Sequence, residues 1–131
     1  VHAYDSRLLG WMVLAARRHI TSVAELTTDE ATELGLAVRD VSLALTTVMG
    51  AAKTYIVQFA EHPNHPHVHV HVVARLADHP PAWIGPGVFG ALGAPEDERV
   101  SEADMNDLAE RLRRALATHP YWGQSPDNVA R

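Results

Sequence analysis

Between His67 and Val73 the chain reads His-Val-His-Val-His-Val-Val, and no other stretch restricts the fold so tightly. A period of two is the pattern of a β-strand, whose successive side chains point to opposite faces. The imidazoles of His67, His69 and His71 therefore share one face, and Val68, Val70 and Val72 share the other. Three such rings suit a core badly, because each carries two nitrogens that need partners and an unpaired buried group costs ~1–3 kcal/mol. They suit an ordinary wet face no better, where Thr, Lys or Glu are the common choices.

Three readings of this face compete. One is a polar strand face with incidental histidines. A second is a metal site, since neutral imidazole is a common zinc ligand. Strand geometry limits that reading: residues two apart are ~6.6 Å apart and residues four apart ~13 Å, while a zinc ligand nitrogen lies ~2.1 Å from the ion. Two neighbouring histidines can share an ion, but all three can do so only across a sharp bend, with a fourth ligand drawn from His62, His65, His19 or an acid. The third reading is an imidazole nucleophile with two helpers. A neutral ring nitrogen attacks phosphorus to give a phospho-imidazole that water later breaks, while flanking rings donate hydrogen bonds to the phosphoryl oxygens. An ordinary imidazole pKa near 6.5 leaves the ring largely neutral at pH 7. His69, flanked on both sides, is the expected nucleophile.

The rest of the chain supplies a scaffold. Leu8 to Ala16 is a short apolar run that suits a strand buried on both faces. Thr27 and Glu30 form a capping box, and Leu34, Val38, Val41, Leu45 and Val48 follow as one helical stripe ending at Gly50. The pattern predicts a helix from Asp29 to Met49. Lys53 to Ala60 reads as a strand, the prolines around His62-Pro63-Asn64-His65 break regular pairing, and His67 to Arg75 resumes it. A loop containing Trp83 and Phe89 is expected without regular structure, either packed on itself or covering a pocket. Ser101 and Asp104 open a second helix with a stripe of Met105, Leu108, Leu112 and Leu116. Residues 121–131 are expected to form a loose tail unless Trp122 docks.

With 131 residues and 14.3 kDa, the chain fits one domain. It has no cysteine, which excludes disulfides, thiolate zinc sites and cysteine nucleophiles. A net charge of -5 without a Lys/Arg block argues against a nucleic-acid partner. No apolar run approaches the ~20 residues of a membrane span and no signal-peptide pattern opens the chain, so a cytoplasmic location is expected.

The run His67-Val-His-Val-His71-Val-Val73 resembles the signature of the histidine-triad (HIT) superfamily, His-φ-His-φ-His-φ-φ with φ apolar. Gly10 to His19 is similar to the family's early strand running into basic residues and a His, and Leu26 to Glu30 to its Leu-Thr-x-x-Glu helix start. The likeness spans about Leu9 to Arg75. It implies an α+β fold with an antiparallel sheet and two main helices, usually paired as a homodimer. It implies purine-nucleotide substrates and hydrolysis or transfer at the α-phosphate, with dinucleoside polyphosphates and nucleoside phosphoramidates as leading candidates. Carried over, His69 forms the nucleotidyl intermediate, and His67 and His71 orient it and contact the phosphate. No cofactor is required, although a divalent metal can accompany a polyphosphate substrate.

Three positions depart from the family pattern. Many members have a further His after the early glycine, where this chain has Trp11. A Gly-Gln-Ser or Gly-Gln-Thr before the triad is replaced by His62-Pro63-Asn64-His65-Pro66, with Asn64 in place of the hydroxyl residue and no counterpart of the Gln. Pro-Arg after the triad becomes Ala74-Arg75. Asn64, His65, His62 and Arg75 are thus candidate phosphate contacts, with solvated surface as the competing reading. His19 is expected to cap the strand, with lining the site as the competing reading, and Trp11 to pack in the core, with stacking on a base as the competing reading. The alternative from another class is a non-catalytic nucleotide- or metal-binding module.

Overall fold

The computed structural model describes residues 1–119, so the expected tail at 121–131 and Trp122 lie outside the described residues. Three antiparallel strands form the sheet: β1 (Trp11–Ala15), β2 (Lys53–Val57) and β3 (His69–Arg75). β3 lies in the centre, with Trp11 opposite Val73 and Ala15 opposite His69 on one side, and Val57 opposite His71 on the other. Two α-helices complete the scaffold, α1 (Thr28–Met49) and α2 (Glu102–Ala117).

Local chemistry sets the limits of α1. Thr27 accepts from the Glu30 backbone and Glu30 reaches back to the Thr27 N–H, which closes the expected capping box. Arg18 grips the same carboxylate at 3.0 and 2.9 Å. That contact, with the Thr27 N–H, holds the Glu30 carboxyl down at about 2. At the other end Gly50 takes the left-handed conformation, φ 68°, that a helix C-cap requires. The buried part of the helix stripe, Val41 and Leu45, meets Leu108 and Leu112 of α2 and the Val70, Val72 and Ala74 face of β3. Val72 and Ala74 are wholly inaccessible to solvent, so the apolar side of the alternation is the main core.

The opposite face of the sheet carries a second cluster of Leu8, Trp11, Val73, Val88 and Ala91. Short 3-10 turns at Pro81–Trp83 and Gly85–Ala91 cover it, where an irregular loop was expected. Tyr55 of β2 anchors this cover, its hydroxyl accepting from the Gly85 N–H at 2.9 Å. The packed-loop expectation describes the segment, since Val88 and Ala91 are buried against the sheet.

The strands are shorter and more exposed than the sequence suggests. In β1 only Trp11 is buried and Ala15 is exposed, which corrects the expectation of burial on both faces. With three strands, β1 is an outer strand; among the described residues its other edge pairs with the N-terminal segment, through Ala3 N to Trp11 O and Val13 N to Val1 O. Pairing of β2 stops at Val57, short of Ala60, whose φ of 57° turns the chain away from the sheet. β3 begins at His69, and the preceding Val68 bonds instead to Ala16 and Ile20. His67 therefore lies at a bend that leads into the strand. Among the described residues no helix is long and apolar enough to cross a membrane.

Candidate active site

The alternation places His69, His71 and Val73 on the face away from α1 and α2, and the structure fixes each ring by a different partner. His69 Nδ1 lies 2.8 Å from the carbonyl oxygen of His67. A carbonyl only accepts, so this nitrogen carries the proton and Nε2 keeps its lone pair. His69 is half-buried, and the residue opposite it on β1 is the small, exposed Ala15.

His71 has the reverse tautomer. The Trp11 indole Nε1 lies 2.9 Å from His71 Nδ1. Indole N–H only donates, so His71 Nδ1 accepts and its proton sits on Nε2. Burial, and then the neighbouring His69, push the His71 pKa below the ordinary imidazole value. The two rings meet edge to face with centroids 5.0 Å apart, so a lone-pair nitrogen and an N–H donor belong to adjacent side chains on one face.

His67 is held at both nitrogens. Its Nε2 donates to the Ala16 carbonyl at 2.6 Å, which leaves Nδ1 to accept from His19 Nδ1 at 3.0 Å. The His19 and His67 planes are 10° apart. Neither ring nitrogen of His67 is available to a ligand without breaking one of these bonds, so His67 acts here as a strut. Its carbonyl orients His69 and its ring ties the lead-in segment to the end of β1.

Aromatic side chains wall the face. Phe89 packs against Trp11 and His71, with centroids at 5.3 and 6.0 Å, and against Phe59 at 5.6 Å. Phe59 is 63% exposed, a large apolar surface at the rim of the histidine face.

The remaining expected contacts fall elsewhere. His62, Asn64 and His65 occupy an exposed turn closed by His65 N to His62 O at 2.9 Å. Within it the Asn64 N–H donates to His62 Nδ1 at 3.2 Å, and the His62 and His65 rings lie 5.3 Å apart. Arg75 shares the face but sits six residues from His69, ~20 Å along the strand. Its Nε is buried without a hydrogen-bond partner. Among the described residues no group of three or more His, Asp or Glu side chains is gathered closely enough to hold a metal ion.

Sequence reasoning missed two of these functions. Trp11 was expected to be only core; it is fully buried and also sets the His71 tautomer. His19 was expected to cap the strand, with lining the site as the competing reading; it is exposed and bonds to His67. The departure from family pattern at Trp11 marked the position, but the role depends on strand register.

The fold has solved counterparts. A histidine triad (HIT) protein from Sinorhizobium meliloti superposes with a TM-score of 0.72 at 28% identity, over 86% of this chain and 79% of that one. A histidine triad protein from Bradyrhizobium japonicum gives 0.68 at 24% identity, over 81% of this chain and 75% of that one. No family model and no curated protein matches the sequence.

Proposed function

The chain belongs to the histidine-triad superfamily, and from that premise we propose that it is a nucleotide hydrolase or transferase acting at the α-phosphate of purine nucleotide derivatives. The observation that carries this reading is the His69 tautomer: its Nδ1 proton is committed to the His67 carbonyl, so Nε2 offers a lone pair. That nitrogen attacks the α-phosphorus, the bond to the leaving group breaks, and the electron pair departs with the leaving atom. The His71 Nε2–H donates to a non-bridging oxygen as negative charge gathers there. Water then attacks the nucleotidyl-histidine; the P–N bond breaks, its electron pair returns to Nε2, and the released proton passes to solvent.

Phe59 and Phe89 suit a purine, since an exposed ring face beside the triad can stack on a base. With a net charge of -5, phosphate binding rests on these local donors and not on the overall field. A divalent cation enters, on this reading, only as part of a polyphosphate substrate, and the active unit is a homodimer.

Incubation with dinucleoside polyphosphates and nucleoside phosphoramidates in 18O-water tests the site of attack. Label in the nucleoside monophosphate is expected. Label in the leaving phosphate chain refutes attack at the α-phosphorus, and a nucleotide that binds but is never cleaved returns the protein to the non-catalytic class.

A further inference from the structure

The bond from Trp11 to His71 has a chemical consequence beyond orientation. Imidazole delivers a proton readily only as imidazolium, which carries N–H on both nitrogens. Here protonation at His71 Nδ1 would set two N–H groups against each other, and the indole is wholly buried, out of contact with bulk solvent. The groups around His71 offer no compensation. It faces Trp11 and Val13 from β1, Val57 from β2, His69 from its own strand and Phe89 from the covering turns. The titratable one among them, His69, is another base whose protonation would repel a charged His71, in line with the downward shift of the His71 pKa.

Resting on the nucleotidyl-transfer reading above, we propose that Trp11 selects the leaving group. It keeps His71 a neutral Nε2–H donor, so the chain takes substrates whose α-phosphate partner departs as a stable anion, a phosphate or polyphosphate chain. Phosphoramidates are disfavoured, because an amine leaves only once its nitrogen has gained a proton. In the favoured step the His69 Nε2 pair forms the N–P bond, the P–O bond breaks, and its pair stays on the phosphate oxygen without proton transfer. His71 stabilises the charge on the non-bridging oxygens and keeps its own proton. Trp11 is thus a positioning residue that acts through His71.

Single-turnover formation of the His69 adduct tests this with nucleoside 5′-phosphodiesters of 4-nitrophenol and phenol and with an alkylamine 5′-phosphoramidate. The wild-type protein should lose at least ~10²-fold between the nitrophenyl and phenyl esters, the lower end of what a general acid supplies, and be slowest on the amidate. Trp11→His, whose ring can accept as well as donate, should narrow the ester gap by at least ~10-fold. Nitrogen-15 spectra of the wild-type imidazoles should show His71 protonated on Nε2 and bare on Nδ1 even at about pH 6, below the ordinary imidazole value. They decide the point if Trp11→His fails to fold. A folded Trp11→His with an unchanged gap, an amidate cleaved as fast as the nitrophenyl ester, or a His71 proton on Nδ1 would each overturn the inference alone. The absence of an adduct with every substrate would overturn the underlying reading and the inference together.

Discussion

Five of the nine histidines lie between His62 and His71, and they divide into two regions of opposite character. In the turn His62–His65 the rings are exposed and partner one another. From His67 to His71 each ring has a nitrogen bound by a group whose chemistry leaves no choice of tautomer: a carbonyl for His67 and His69, an indole for His71. The residue type and its density along the chain are alike in both regions. What differs is where the fixed rings stand. His62 also accepts at Nδ1 from a backbone N–H, but in an exposed turn. His69 and His71 instead set a lone pair and an N–H side by side on one partly buried face.

Substitutions can break this contrast, and the largest effect is expected at His69. His69→Ala should lower turnover by at least ~10³-fold, as loss of a covalent nucleophile does, while the melting temperature changes little because the ring is only half-buried and belongs to none of the core clusters. A variant as active as wild type on every cleaved substrate ends the mechanism. Next comes Trp11→Phe, which leaves His71 Nδ1 unpaired; the cost of ~1–3 kcal/mol translates into a ~10–100-fold loss in kcat/KM for a polyphosphate substrate. His19→Ala removes one bond at the protein surface, so a fall of about threefold to tenfold is expected. A loss as large as that of His69→Ala would place His19 among the reacting groups.

Acidification sharpens the same contrast through stability. Burial is the main cause that holds His2, His71 and His79 below the ordinary imidazole value. The unfolded chain therefore binds protons at a higher pH than the folded one, and stability falls as pH drops through about 6.5 toward the folded values. Thermal melts should give a lower midpoint at about pH 5 than at about pH 7.5; an unchanged or higher midpoint would contradict the burial of these rings. The smallest effect belongs to the turn: His62→Ala and His65→Ala should each stay within about twofold of wild type, as exposed substitutions usually do. A tenfold loss at either would return the turn to the phosphate site.

Much of this was legible in the residues. Alternation alone separated the Val70 and Val72 face, now packed on both helices, from the His69 and His71 face. Thr27, Glu30 and Gly50 marked the limits of α1 because caps are local chemistry. The functions of Trp11 and His19 were not legible, for they depend on pairs 60 and 48 residues apart; the register of β1 against β3 brings the first together, and the bonds of Val68 to Ala16 and Ile20 the second. An apolar run likewise cannot say whether its strand is central or outer, which is why β1 was expected to be buried throughout. His67 looked equivalent to its neighbours in the pattern, yet the strand begins only at His69, and the lead-in segment turns the His67 ring toward Ala16 and His19.

The proposed chemistry stands or falls with a bond between phosphorus and His69 Nε2. Rapid quenching of the wild-type protein with a nucleotide substrate, followed by peptide mass spectrometry, reads that bond directly. One nucleoside monophosphate should be found on the peptide containing His69 and on no other histidine, and it should be lost in His69→Ala. Adduct on His62 or His65, or full turnover with no adduct trapped at any quench time, would contradict the account.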